Sequence, residues 1–160
     1  MDAKTLLAWR EQMNKQREAY LLIYGAPLIH FTMEIPPGGE TLPGIRAAFD
    51  EGTDALLFQL MSKGAPVLDR KEWHGETGDE MLLAVDFAPD QLKELAVFIE
   101  DHHRFGSFFR IEVYEVNGAR VARTAYRKCL ICGRPVPECE RLRRHTKEEY
   151  LAAAAKRLSG

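Results

Sequence analysis

Cysteine is scarce in this 160-residue chain: there are three, and none lies outside residues 129–139. An odd number packed into one short stretch argues against a disulfide scaffold and for a reducing cytosol, so the expected location is cytoplasmic. Long apolar runs are also missing, and nothing in the chain reads as a membrane span. The opening Met-Asp-Ala-Lys-Thr-Leu-Leu-Ala-Trp-Arg has no extended apolar core ahead of a small-residue cleavage site, so it is not expected to be a signal peptide. No internal repeat and no low-complexity linker interrupts the sequence. With 46% hydrophobic and 29% charged residues, disorder is excluded, and one compact domain over residues 1–160 is expected.

The net charge of −2 hides a division. Between Arg120 and Lys147 stand nine basic residues and two acids, so this segment carries +7 and the remainder −9. Such a basic surface suits phosphates or an acidic partner, or is simply a solvated charged face. Aromatic side chains that would stack on bases are nearly absent from it, Tyr126 being the exception, which makes nucleic acid an unlikely partner.

All three cysteines fall in Cys129–His145. Cys129 and Cys132 have C-x-x-C spacing, which lets one tight turn aim two sulfurs at a point. Gly133, Pro135 and Pro137 then bend the chain back to Cys139. His145 supplies the nitrogen that completes a tetrahedral Cys3His set, the donor chemistry of a closed, structural zinc site. Thr146 and Glu149 have capping-box spacing, which places His145 just ahead of a helix. The competing reading is that Cys129 and Cys139 are small buried hydrophobes and Cys132 a free thiol. The knuckle is expected over residues 127–146 and a terminal alanine-rich helix over 147–158.

The remaining elements follow from periodicity. Leu6, Trp9, Met13 and Tyr20 give an amphipathic packing helix over about Ala3–Tyr24, ended by Gly25 and Pro27. Leu28–Ile35 alternates as a strand with one buried face, and His30, Thr32 and Glu34 form its expected solvent row. Pro36-Pro37-Gly38-Gly39 breaks it. Leu42–Ser62 reads as a helix with a kink or break at Gly52, and Arg46 near its start faces the Pro-Gly loop. A cation there opposes the helix dipole unless an anion is bound. Pro66–Trp73 and Glu80–Phe87 read as a hairpin, Asp90–His103 as a helix, Ser107–Val116 as a strand and Arg120–Ala125 as a short further strand. The order predicts an α+β fold: a mixed, mainly antiparallel sheet packed with helices.

Six stretches stand out together: Ile35-Pro36-Pro37-Gly38, the run from Ile45 to Gly52, Thr77-Gly78-Asp79-Glu80, His103-Arg104-Phe105-Gly106, Ile111-Glu112-Val113 and the whole of Arg127–His145. In these the chain resembles the apo-citrate lyase phosphoribosyl-dephospho-CoA transferases, which are holo-acyl-carrier-protein synthases of citrate lyase. The resemblance implies a nucleotidyltransferase-like enzyme. It would move a phosphoribosyl-dephospho-CoA group from 2′-(5″-triphosphoribosyl)-3′-dephospho-CoA to a serine of the lyase's acyl-carrier subunit, with loss of pyrophosphate. It implies Glu112 as the catalytic carboxylate, helping to hold a catalytic magnesium. It further implies substrate contacts from Arg46, His103, Arg127, Lys128, Arg141 and Arg144, the last four set around a zinc held by Cys129, Cys132, Cys139 and His145.

The chain departs from the family where Gly-Arg-Leu-x-Asp-x-Asp-Val is expected. Ser107 stands for the arginine, Arg110 for the first acid and Glu112 for the second. Arg110 and Glu112 share a strand face, so an ion pair between them competes with metal ligation by Glu112. A catalytically silent relative that binds a CoA-like nucleotide or a carrier protein is the alternative to a working transferase.

Overall fold

The computed structural model describes residues 2–160. Helix α1 spans Ala3–Tyr24. The Asp2 carboxylate accepts the Thr5 N–H at 2.7 Å and starts it. Gly25, in the left-handed region at φ 58°, ends it by donating to the Leu21 carbonyl. There follow β1 (Leu28–Met33), α2 (Ile45–Ser62), β2 (Val67–Gly75), β3 (Gly78–Val85), α3 (Pro89–His102), β4 (Phe109–Tyr114), α4 (Val136–Leu142) and α5 (Lys147–Ser159). The four strands lie in the order β2-β3-β1-β4, and every pairing is antiparallel. The expected α+β class holds.

Both faces of the sheet are covered. Ile29, Phe31, Met81, Leu83, Phe109 and Ile111 face α2 and α3, with Ala154 and Leu158 of α5 closing the same core. Phe31 stacks on Phe49 with ring centroids 4.8 Å apart and meets Phe109 edge-on at 5.2 Å. Burying each such ring contributes about 1.5–3 kcal/mol. On the opposite face Leu28, Leu82 and Ala84 lie beneath Met13 and Tyr20 of α1. The Tyr20 and Tyr24 hydroxyls donate to the Asp69 carboxylate at 3.1 and 2.6 Å and hold α1 to β2. The solvent row expected on β1 holds only in part: Glu34 is exposed and Thr32 half-buried, but His30 is only 7% exposed. Alternation along a strand reports polarity and says nothing of a helix that later lies across the polar side.

Three further expectations are corrected. Helix α2 begins at Ile45 rather than Leu42 and passes through Gly52 without a break. Gly52 is there for space: a Cβ would lie 2.6 Å from the Phe31 ring and 2.7 Å from the Phe109 ring. Arg120–Ala125 forms no strand; one bridge joins Tyr114 to Arg120, and the Val121 N–H reaches the Val113 carbonyl at 2.8 Å. Pro135 and Pro137 open the short helix α4, which carries Cys139 and had no apolar period long enough to be read.

Among the described residues β4 has no strand partner on its outer edge; side chains take that place. The Ile111 N–H donates to Glu100 at 2.8 Å and the Ile111 carbonyl accepts from Lys93 at 3.0 Å. The Arg127 guanidinium donates to the Phe109 carbonyl at 2.6 Å and pairs with Glu100 at 3.0 Å. Burial pushes the Glu100 carboxyl above its usual range, with Arg127 opposing, and pulls the Lys93 ammonium down.

The packing at Gly52 gives a direct test. Gly52→Ala improves helix propensity by ~1 kcal/mol, but overpacking against two rings costs about 1–3 kcal/mol. A lower urea midpoint at unchanged m-value is expected. A midpoint equal to or above wild type would show that the rings do not close on this position.

Candidate active site

A cleft of about 700 Å³ lies between the sheet and the stretch of α1 from Leu6 to Arg17. Strand register sets its floor. β1 pairs Thr32 with Glu80 of β3 and with Arg110 of β4, and pairs His30 with Glu112. All five side chains share the face beneath α1, because residues two apart on a strand point the same way. The turn at 75–79 borders one part of the cleft, and Glu40 and Ile45 border another.

A polar chain crosses the floor. His30 Nε2 lies 2.8 Å from Glu80 Oε1, and the Trp9 indole N–H donates to the other Glu80 oxygen. Arg17 Nη1 lies 3.3 Å from His30 Nδ1. A guanidinium only donates, so Nδ1 is the acceptor and the imidazole proton is on Nε2, directed at Glu80. The same guanidinium lies over the Tyr114 ring, 4.8 Å from its centroid.

Glu112 has both carboxylate oxygens facing cations. Arg110 Nε is 3.8 Å from Oε1 and Arg120 Nε is 3.7 Å from Oε2. Arg110 also reaches Glu34 at 3.5 Å. The ion pair anticipated between Arg110 and Glu112 is present. The magnesium expected here does not suit these residues. The position of one acid is a guanidinium, and the remaining acid lies between two arginines. Glu80 already bonds His30 and Trp9, and no second group of three or more acid, histidine or cysteine ligands converges among the described residues besides the knuckle.

The other anticipated contact residues fall elsewhere. Arg46, one residue beyond Ile45, pairs with Asp50 at 3.1 Å on the first turns of α2. His103 packs against Phe109, ring centroids 5.0 Å apart, on the far face of the sheet, and burial lowers its basicity. Its neighbour Gly106 is demanded by the corner, where a Cβ would lie 2.2 Å from the Glu100 carbonyl. Arg127 is turned to the backbone of β4, as described, with Glu34 at 3.7 Å. Lys128 and Arg141 are exposed on the knuckle, and Arg144 pairs with Glu138 at 3.1 Å. Periodicity gives Trp9 a packing role and His30 a place in the solvent row, while Arg17 among the apolar positions of α1 looks like part of an ordinary solvated face and Glu80 carries no local sign of its role.

The knuckle does assemble. The Cys129 N–H donates to the Arg134 carbonyl at 2.7 Å and the Gly133 N–H to the Cys129 carbonyl at 3.0 Å, closing a turn with Gly133 at φ 75°. Thr146 and Glu149 form the capping box, both bonds 3.1 Å, and seat His145 ahead of α5. The ligand atoms of Cys129, Cys132, Cys139 and His145 all lie within 4.8 Å of one another. His145 Nε2 is buried with no hydrogen-bond partner. Three soft sulfurs and one orphaned imidazole nitrogen fit a zinc ion.

The model of the family described as apo-citrate lyase phosphoribosyl-dephospho-CoA transferase matches residues 1–159. A Citrobacter koseri protein named apo-citrate lyase phosphoribosyl-dephospho-CoA transferase is 27% identical over 150 residues, covering 91% of this chain and 82% of the relative. An Escherichia coli protein of that name is 25% identical over the same shares. A Vibrio cholerae protein named as a probable member is 28% identical over 153 residues, 92% of this chain and 85% of the relative. The match runs through the cleft, the β4 edge and the knuckle alike, and the chain belongs to the apo-citrate lyase phosphoribosyl-dephospho-CoA transferase family.

Proposed function

We propose that this chain transfers a phosphoribosyl-dephospho-CoA group from 2′-(5″-triphosphoribosyl)-3′-dephospho-CoA to a serine of the citrate lyase acyl-carrier subunit, releasing pyrophosphate. The observation that carries the reading is that Arg17, Arg110 and Arg120 line the same cleft as Glu112 in a chain of this family. The reaction is nucleotidyltransferase-like. The serine oxygen bonds to the phosphorus nearest the ribose, the bond from that phosphorus to the departing pyrophosphate breaks, and Glu112 takes the hydroxyl proton. Arginines that leave Glu112 for the phosphates also free its carboxylate to act as the base.

The knuckle holds one zinc ion through Cys129, Cys132, Cys139 and His145, a closed set with a structural role. Lys128, Arg141 and Arg144 on its surface offer charge to an acidic carrier. Lys147 at the start of α5 would lie about 3.4 Å from a side chain at Gly38, beside the Pro-Gly loop, so the knuckle and the cleft rim are neighbours. No described helix is long and apolar enough to cross a membrane, and free thiols suit the cytoplasm, where the carrier would be met. A silent relative remains the second reading, favoured by Arg110 in place of an acid.

Incubating the protein with apo carrier and the triphosphoribosyl donor, then weighing the carrier, tests the transfer. A mass gain of one prosthetic group is expected. Glu112→Gln keeps the shape, removes the charge and is expected to lower the rate by about 100-fold, the scale of losing one preorganised electrostatic group. No gain with wild type would mean a silent relative; full activity in Glu112→Gln would remove Glu112 from the chemistry.

Elemental analysis of protein purified without chelator is expected to find one zinc per chain, and Cys139→Ser to lose it with a fall in melting temperature. Metal-free protein with three freely titrating thiols would leave the cluster as ordinary packing.

A further inference from the structure

We infer that the cleft binds an oligophosphate without a divalent cation, through Arg17, Arg110 and Arg120. The inference rests on the transfer reading above for the identity of the ligand, pyrophosphate or the triphosphate that releases it. It does not rest on that reading for the geometry. Each guanidinium is held by one or two acceptors, Arg17 by His30 and Asn14, Arg110 by Glu112 and Glu34, and Arg120 by Glu112, and keeps other N–H groups for the cleft. A guanidinium has five N–H donors in a fixed fork, and one or two contacts leave the rest free for phosphate oxygens.

Arg17 is held by a relay. Trp9 and His30 both donate to Glu80, which fixes the imidazole proton on Nε2 and leaves Nδ1 to receive Arg17. The tautomer is set by a carboxylate on the far strand of the pair, so Glu80 acts on the phosphate site without touching it. His30 and Glu80 are both nearly buried, at 7% and 8% exposure, and a charged group placed under a helix is costly unless it is paired. Arg110 and Arg120 are held at 3.8 and 3.7 Å by the two oxygens of Glu112. Those are ion-pair separations longer than a hydrogen bond, so the guanidiniums can turn to a stronger acceptor. Their side chains are 50% and 62% exposed, which leaves them room to do so.

The acids of the floor are thereby accounted for. Glu80 is occupied by Trp9 and His30, Glu112 by Arg110 and Arg120, and Glu34 by Arg110 and Arg127. Each fixes a donor, and among the described residues no three acid, histidine or cysteine ligands of the cleft converge to hold a cation. Three guanidiniums stabilise the charge of a departing pyrophosphate as a metal would, by positioned positive charge.

Titration calorimetry with inorganic pyrophosphate in EDTA tests the inference, with folding of each variant checked by circular dichroism. Wild type is expected to bind, with affinity changed less than threefold when EDTA is replaced by magnesium. Arg17→Gln and Arg120→Gln are each expected to weaken binding about tenfold, the loss of one charge-assisted contact. Glu80→Gln, which touches no phosphate, is expected to weaken binding several-fold by releasing the tautomer, while Glu80→Gln with Arg17→Gln is expected to be no worse than Arg17→Gln alone. Binding that appears only with magnesium, or arginine variants that bind as wild type does, would overturn the inference. Failure of carrier transfer with metal-free pyrophosphate binding intact would count against the transfer reading and leave this site standing.

Discussion

The structure depends on how the outer edge of β4 is closed. An edge strand exposes unpaired N–H and C=O groups, and here Glu100, Lys93 and Arg127 meet them. Glu100 is the centre: it accepts the Ile111 N–H and pairs with Arg127 at 3.0 Å and Arg123 at 3.8 Å. Burial disfavours its charged form and the arginines favour it, so the carboxylate stays useful only while they are present. Breaking such a buried pair by removing one partner typically costs ~3–5 kcal/mol. Because Arg127 is also the first residue of the knuckle segment, the same contacts join the sheet to the metal-binding turn.

That closure fixes the chemistry on the other side of the strand. Phe109 and Ile111 are drawn into the helical core, so Arg110 and Glu112 must point beneath α1. Helix α1 is held near its C-terminal end by Asp69, and along Leu6–Arg17 it borders the cleft where Trp9 and Arg17 reach the floor. The site is a gap between a tethered helix and a sheet braced from behind.

The fold was legible where periodicity and punctuation agree. The α1 stop at Gly25, the hairpin turn at 75–78 and the Thr146–Glu149 capping box are local devices whose physics lies within a few residues. The knuckle was legible too, since ligand spacing carries the geometry. Long-range facts were not. Nothing near His30 says that α1 will cover it, and nothing near Gly52 says that two phenylalanines from distant strands need its space. Arg127 looked like a ligand contact because a lone cation gives no sign that an edge strand awaits it. His103 has the same limit: the reason for its stretch is the tight corner at Gly106, visible only once Glu100 is placed.

The central claim is that the donor binds between α1 and the sheet. Hydrogen–deuterium exchange with and without the triphosphoribosyl donor tests it most directly. The account predicts slowed exchange along the N-terminal half of α1, in the turn 75–79 and through residues 114–120, with the far-face stretch around His103 unchanged. Protection confined to the His103 corner and α2, with α1 and residues 114–120 unaffected, would contradict it.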